Sequence, residues 1–546
     1  MADGTGNAAS HVDVVVVGAG FAGLYALYRL RRLGLNIRLL EAGEGVGGTW
    51  YWNRYPAARC DTESLQYSYQ FSEELQQDWA WSERYATQPE IERYLNHVAD
   101  RFDLRRDIRL GTLVESIVLD EPAARWTVTT SDGGRTVARY CVMATGCLSS
   151  PLTPRFEGLE SFAGPTYHTA RWPREKIDFT GQRVGVLGTG SSAMQAIPLI
   201  AEQASQLTVF QRSANYAVPA WNAPLDAGYL AWFKANYVEN RKRAKKLVSG
   251  FLCYYNPQTS FEVSAADRER EYEKRWREGG IGYLAAFSDI TTNDEANRLA
   301  SDFVHRKIRS IVEDPAIAEM LIPNSVIGCK RLCVHAGYYA TYNRPNVALI
   351  DVKANPVERV TPTGVVVAGR EYPVDALVLA TGFDAMTGAL NKIDIRGRSG
   401  LSLKEKWAEG PRAYLGVASA GFPNLFIITG PGSPSVLTNM VPTIEQHVDF
   451  IAGCIDHVEA GGYGAIEPEV AAEDAWVAYN DEVAHRTLRY ECASWYLGAN
   501  VPGKKRVFMP FVAGLPAYIR KCDEVVAAGY AGFILAPVQQ KAMGAL

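Results

Sequence analysis

Short unbroken apolar runs that end abruptly in glycine mark two places in the chain. Asp13-Val-Val-Val-Val17 leads into Gly18, and Arg183-Val-Gly-Val-Leu187 leads into Gly188. Runs of this kind predict strands covered on both faces, as in a parallel sheet. After the first, Phe21 to Leu33 carries apolar residues at helical spacing and stops at Gly34, and Ile37 to Leu40 reads as a second strand. After the second, Ala193 to Ala204 reads as a helix and Leu207 to Phe210 as a strand. Two more Val-rich runs, Tyr140 to Met143 and Ala376 to Leu379, each end in Ala-Thr-Gly, at Ala144-Thr145-Gly146 and Ala380-Thr381-Gly382. Between about Asn222 and Ser325 the strand pattern gives way to charged helical sequence such as Arg268-Glu-Arg270-Glu-Tyr-Glu273-Lys-Arg275. The predicted fold class is α/β, with two Rossmann-type dinucleotide-binding domains and an inserted helical subdomain.

The glycines carry the first chemistry. Gly18-Ala-Gly20-Phe-Ala-Gly23 and Gly188-Thr-Gly190-Ser191-Ser192-Ala193 each follow a strand and open a helix. Small residues there let the strand turn tightly, the backbone approach a pyrophosphate, and the helix N-terminus face the phosphates. The first unit's second strand ends in Glu41, about 20 residues on, where a carboxylate accepts from a ribose 2′-hydroxyl and repels a 2′-phosphate. That site is predicted to take FAD or NAD. The second unit has Arg212-Ser213 at the matching place, and a guanidinium fork suits a 2′-phosphate. That site is predicted to take NADPH.

Composition narrows the class. The chain has 546 residues, 47% hydrophobic and 21% charged; this length predicts roughly three to four domain-sized units. A net charge of −4 argues against a general nucleic-acid or anionic-membrane binder and leaves a small-molecule substrate as the expectation. The basic run Arg241-Lys-Arg243-Ala-Lys245-Lys246 reads as a solvated helix face. Nine scattered cysteines without a Cys-x-x-Cys pair suggest neither a disulfide framework nor a thiol redox couple. The start, Met1 to Val12, lacks the charged and apolar regions of an export signal, and Val14 to Val17 is too short to span a bilayer. A cytoplasmic location is expected, and no metal site is predicted.

Between the two nucleotide motifs lies Phe162-Ala-Gly164-Pro-Thr-Tyr-His168-Thr-Ala-Arg-Trp172-Pro173. It resembles the Phe-x-Gly-x-x-x-His-x-x-x-Trp-Pro fingerprint of type I Baeyer–Villiger monooxygenases at every fixed position. Gly47-Gly48-Thr49-Trp50-Tyr-Trp-Asn-Arg-Tyr55-Pro56-Ala57-Ala-Arg-Cys-Asp61 is similar to a second family string, with Ala57 where the family usually has Gly or Met. The similarity continues through Cys329-Lys330-Arg331-Leu-Cys333, Gly430-Pro-Gly-Ser-Pro434-Ser435-Val436, and Ser494-Trp495-Tyr-Leu-Gly498-Ala-Asn500-Val-Pro-Gly-Lys504. The Gly430 to Met440 loop looks most like that of phenylacetone and steroid monooxygenases, which favours bulky cyclic or aryl ketones. The Ala-Thr-Gly strings resemble the points where two-dinucleotide flavoproteins cross between domains. The implied division is residues 1–148 and 383–546 for the FAD domain, 149–222 with 328–382 for the fingerprint and NADP domain, and 223–327 for the insert.

The resemblance implies an FAD enzyme that consumes NADPH and O2 and inserts oxygen beside a ketone carbonyl, giving an ester or lactone through a C4a-peroxyflavin. It implies cofactor contacts from Gly18, Gly20, Gly23 and Glu41 to FAD, from Gly188, Gly190, Ser191, Ser192, Arg212, Ser213, Lys330 and Trp495 to NADP, and from Gly48, Thr49, Trp50 and Asp61 as well. Arg331, oriented by Asp61, would steady the anionic oxygens and would face both flavin and nicotinamide. Ser435, Val436 and Leu437 would form a substrate loop, and His168 either couples domains or places NADP. Three other readings stand beside this one. An N- or S-oxygenase shares the nucleotide folds but usually lacks the Trp-Pro ending. A disulfide reductase needs the absent Cys-x-x-Cys. A non-enzymatic NADPH sensor has no need of Arg331 with Asp61.

Overall fold

The computed structural model describes residues 9–537. Residues 1–8, part of the polar start, and 538–546 lie outside the described residues. The first unit forms as strand β1 (Ser10–Val17), helix α1 (Phe21–Arg31) and strand β2 (Ile37–Leu40), followed later by strand β3 (Arg135–Met143). The second forms as strand β4 (Arg183–Leu187), helix α2 (Ser191–Gln203) and strand β5 (Gln206–Gln211). Strand and helix identities match the apolar patterns, while ends shift by a few residues, where fraying and capping decide the boundary.

Two sheets hold the molecule. In the first, β2, β1 and β3 run parallel, Leu425–Ile427 pairs with β3, and an antiparallel meander of Val114–Asp120 and Arg125–Thr130 extends from β3. Asp394–Arg396 then pairs parallel with Val114–Asp120. In the second, Val347–Asp351, β5, β4, Ala376–Leu379 and Thr166–His168 are all parallel. Val14, Val15 and Val16, like Val184 and Val186, are fully buried, as expected for strands covered on both faces. On the first sheet, α1 lies against the long helix Met440–Ala460, pinned by Tyr25 Oη donating to Asp449 at 2.9 Å.

The two Ala-Thr-Gly strings have a structural role that periodicity could not show. Ala144 N donates to Val17 O and Ala380 N to Leu187 O, both at 2.9 Å, so each string continues alongside the first strand of its own unit. A Cβ on Gly18 (φ +105°) would come within 2.6 Å of Ala144 O, and one on Gly188 (φ +108°) within 2.5 Å of Ala380 O. Each glycine turn is seated on its Ala-Thr-Gly partner, and a side chain at either would displace backbone. The same closure recurs inside the first turn, where a Cβ on Gly23 would lie 1.7 Å from Gly18 O.

The insert is helical, with Ala227–Ala235, Tyr237–Lys245, Ala265–Glu278, Asp294–Ile311 and Pro315–Leu321. Its basic run is not wholly solvated. Arg241 is 7% exposed and donates to Gln66 O at 2.9 Å and Ser68 Oγ at 2.6 Å. Lys242, Arg243, Lys245 and Lys246 are exposed, because the helical turn puts only Arg241 and Ala244 on the inner face. The cysteine expectation is also corrected, since Cys329 and Cys492 are disulfide-bonded while the other seven are free. Spacing could not reveal the pair, whose members are 163 residues apart. Among the described residues no helix is long and apolar enough to cross a membrane.

Gly23→Ala is expected to lower stability by about 1–3 kcal/mol or more, the usual cost of forcing an extra carbon into packed structure, and to yield protein with less bound flavin. Thermal unfolding and the flavin absorbance of purified protein measure both. Wild-type flavin content and Tm in the variant would contradict the seating described here.

Candidate active site

The first glycine turn forms a cradle for a pyrophosphate. Gly48 (φ +54°) lies so close that its Cβ would sit 2.8 Å from Gly20 Cα, packing the Gly47-Gly48 string onto the turn. Thr49 and Trp50 follow at the start of the short helix Thr49–Trp52, with Trp50 Nε1 donating to Tyr67 Oη at 3.2 Å. Glu41 is buried and its two oxygens accept from Ala19 N at 2.6 Å and Gly43 N at 2.7 Å. Burial pushes its carboxyl pKa up, against those two backbone donors. Glu41 therefore braces the glycine turn, and its remaining lone pairs are what it can offer a ribose. The side-chain-free turn, the helix N-terminus behind it and this carboxylate fit the adenosine diphosphate half of FAD.

The second turn differs in charge. Ser191 and Ser192 open α2 directly after Gly190. Ser213 O accepts from Thr189 Oγ1 at 3.0 Å, which brings the Arg212-Ser213 corner over the turn. Lys330 Nζ reaches Ser213 Oγ at 3.5 Å. Burial pushes the Lys330 ammonium down, and the neighbouring Arg212 pushes it further. Two cations held together without a carboxylate between them suit a dianionic 2′-phosphate, so the residues fit NADP.

Arg331 and Asp61, 270 residues apart, meet in a fork. Nε donates to Oδ2 at 2.6 Å and Nη2 to Oδ1 at 2.7 Å, while Nη1 donates to Val436 O at 2.6 Å. Burial opposes the charge on Arg331, yet the Asp61 carboxylate holds its proton more firmly than usual. The guanidinium is thus fixed as a cation, in plane, by groups from two distant segments. Ser435, fully buried with φ +40°, begins the turn that presents the Val436 carbonyl. Val436 and Leu437 pack with Cys147, Leu148, Met386, Trp495 and Tyr496 into one apolar cluster. Trp495 is half-buried and lies against Tyr496, with ring centroids 4.2 Å apart.

The fingerprint residues act as joints. A Cβ on Gly164 would lie 2.1 Å from Asp375 O, so the chain passes hard against the entry to Ala376–Leu379. Phe162 packs at that end of the second sheet. His168 Nδ1 accepts from Ala170 N at 3.0 Å, which places its proton on Nε2, beside Leu152 O at 3.1 Å and Thr381 Oγ1 at 3.2 Å. Burial pushes its pKa down, so the ring is a neutral tie between the fingerprint and the second Ala-Thr-Gly string. Trp172 is buried against Tyr167, and Pro173 ends the turn as the chain leaves. Between them and the flavin string, Arg171 sits over the Trp52 ring at 5.1 Å. Ala57 takes φ +61°, which accounts for glycine being usual there.

Sequence reasoning missed several participants. Gln195, on α2, takes the Tyr55 hydroxyl at 2.9 Å and donates to Arg59 O at 3.1 Å, docking the flavin string on the second unit. The Val436 carbonyl carries no side-chain signal at all. Tyr496, buried, and Arg489, half-buried, both near Arg331, lie in segments where only Trp495 stood out.

The fold and site together define a two-dinucleotide flavoprotein oxidoreductase, with one turn that fits FAD, one that fits NADP, and an arginine fork where the two units meet. A family model described as pyridine nucleotide-disulphide oxidoreductase matches residues 15–227. The chain is 43% identical over 526 residues to a Baeyer–Villiger monooxygenase of Pseudooceanicola batsensis, covering 96% of each. It is 42% identical to phenazine N-monooxygenase PhzNO1 of Lysobacter antibioticus, covering 97% of this chain and 98% of that one. A solved structure of oxidized steroid monooxygenase bound to NADP matches with 53% identity and a TM-score of 0.93, over 96% of this chain and all of the other. The chain belongs to the Baeyer–Villiger monooxygenases, FAD-containing enzymes that use NADPH and O2 to insert one oxygen atom beside a ketone carbonyl.

NADPH is expected to be preferred over NADH, and Arg212→Ala to shrink that preference. Loss of one charged partner of a phosphate costs on the order of 1.5–3 kcal/mol, or roughly ten- to hundredfold in affinity. Steady-state KM values for both nucleotides measure it. Equal use of the two by the wild type would remove the assignment of Arg212 and Lys330.

Proposed function

We propose that Arg331, locked by Asp61, is the cation at which oxygen transfer takes place, and that the substrate is a bulky cyclic or aryl ketone. The observation that carries this reading is the fork itself: a guanidinium held by a bidentate carboxylate and a loop carbonyl, at the meeting of both nucleotide units. Bound FAD supplies the hydride acceptance from NADPH and the activation of O2.

Arg331 supplies permanent positive charge where negative oxygen develops, and no proton equilibrium removes that charge at neutral pH. Asp61 spends both oxygens on Nε and Nη2, so the fork has one defined plane. Nη1 is engaged by the Val436 carbonyl, a neutral acceptor that an oxyanion outcompetes. The Ser435–Leu437 turn therefore links substrate position to arginine position. Leu148, Met386, Val436 and Leu437 pack with Trp495 and Tyr496 in one apolar cluster beside the fork, a surface that suits a large apolar ketone. Lys330 and Arg212 hold the 2′-phosphate, and Gly188 to Ser192 the pyrophosphate. The division into an FAD domain (1–148 and 383–546), an NADP domain (149–222 and 328–382) and a helical insert (223–327) is supported by the strand pairing within each sheet.

N-oxygenation is the second reading, favoured by one observation: the chain is 42% identical to a phenazine N-monooxygenase over 97% of its length. A panel of cyclic, aryl and steroid ketones beside phenazines, with products identified by mass spectrometry, separates them. Esters or lactones from ketones support the proposal, and N-oxides alone would overturn it.

Arg331→Ala is expected to retain FAD and to consume O2 with NADPH, reduced more slowly, while forming no ester. Removal of one strong electrostatic stabiliser costs about 10²–10³ in rate. Stopped-flow reduction, followed by mixing with O2 and ketone, measures the steps separately. Ester formation at near wild-type rate would place the oxygenation chemistry elsewhere in the cleft.

A further inference from the structure

The seven free cysteines are scattered, six of them buried, whereas the bonded pair joins two segments of the site. Cys329 lies immediately before Lys330 and Arg331, and Cys492 just before Ser494, Trp495 and Tyr496. Their Cα atoms are 6.1 Å apart, within reach of a bridge without backbone movement. Cys329 is 1% exposed, but Cys492 is half-buried between the exposed Glu491 and Ala493, so the Cys492 end of the pair lies nearer the surface.

The wall made by Trp495 and Tyr496 is anchored at both ends, by different means. At its far end Asn500 Nδ2 donates to Phe383 O at 2.7 Å, and Lys504 Nζ reaches Asp384 Oδ1 at 2.5 Å and Ala385 O at 3.1 Å. At its near end Arg489 Nη1 donates to Gly328 O at 2.7 Å and Leu488 N to Thr291 O at 2.9 Å, and beside them stands the Cys329–Cys492 bond. The far anchor is a set of polar contacts that can open and reform. The near anchor is covalent, and it fixes the wall to the segment that carries Arg331.

We propose that Cys329 and Cys492 form a thiol–disulfide switch, a redox-modification site that sets how tightly the 494–504 wall is held over Arg331 and the nicotinamide nucleotide. Its bearing on that nucleotide rests on the reading of the site given above. The oxidant is hydrogen peroxide, the two-electron reduction product of O2. The Cys492 thiolate attacks one peroxide oxygen, the O–O bond breaks, and a sulfenic acid and one water result. The Cys329 thiol then displaces the second water as the S–S bond forms. Two thiols give up two electrons and two protons, and one peroxide becomes two waters. A dithiol reductant reverses the change. Oxidised protein keeps the wall close; reduced protein leaves its near end held by the Arg489 and Leu488 hydrogen bonds.

The test uses FAD-loaded protein, one portion reduced with tris(carboxyethyl)phosphine and one treated with hydrogen peroxide, both desalted. Alkylation under denaturing conditions with peptide mapping is expected to find Cys329 and Cys492 free in the first and joined in the second. Hydrogen exchange of residues 494–504 with NADP+ present is expected to be about tenfold faster in the reduced form, as for a segment whose local opening is eased, with a KM for NADPH raised about threefold or more. Cys492→Ser is expected to match the reduced wild type under both treatments. Two alkylated thiols after peroxide, or a joined pair with unchanged exchange and KM, would each overturn the proposal. Failure of every ketone in both redox states would instead count against the oxygenation reading, while linkage and loop exchange still decide the switch.

Discussion

The Asp61–Arg331 fork is the interaction on which the site depends. A half-buried carboxylate and guanidinium lose hydration when the two sheets close on them, and recover it through two parallel charge-assisted hydrogen bonds. Removing either partner strands the other, which is far more costly than loss of an exposed pair, typically about 0–1 kcal/mol. Because Asp61 belongs to the string that packs on the first glycine turn and Arg331 to the strand edge beside the second, the fork also records that the two units are in register. The Val436 carbonyl adds a third point of attachment.

Around that fork the chain builds one construction twice. In each unit a strand ends in a glycine with φ near +105°, seated on the backbone of an Ala-Thr-Gly string, with a helix N-terminus behind it. The two copies differ in what lies at the end of the next strand. Glu41 is turned inward and bonded to the first turn's own backbone, while Arg212 stands with Lys330 beside Ser213. One turn thus carries a buried acid braced by amide donors and the other a cationic pair with no carboxylate partner among the described residues, on an otherwise common frame.

Connecting pieces hold the parts of the frame together. His168 ties the fingerprint to Thr381 as a neutral ring, Gln195 ties the flavin string to α2, and Gly164 allows the close pass at Asp375. Of these, the Gln195 contact crosses between the two units, while those of His168 and Gly164 hold the fingerprint within the second. The Ser494–Lys504 wall belongs with them, bonded covalently at one end and by reversible contacts at the other.

The sequence alone determined the two strand–helix–strand units, the helical insert and the charge difference between the nucleotide sites. Each of those is local: apolar runs, glycine spacing and the residue ending a strand are legible within about 30 residues. Family resemblance, through Phe162 to Pro173 and the string ending at Asp61, then brought Arg331 and Asp61 together before any geometry was known. Tertiary structure decided the rest. It turned Glu41 inward, buried Arg241 on a helix face that reads as basic, supplied the Val436 carbonyl, and joined Cys329 to Cys492 across 163 residues. In each case the deciding partner lies far away in the chain or is a backbone atom, and neither leaves a mark on the periodicity or composition of the segment that it meets.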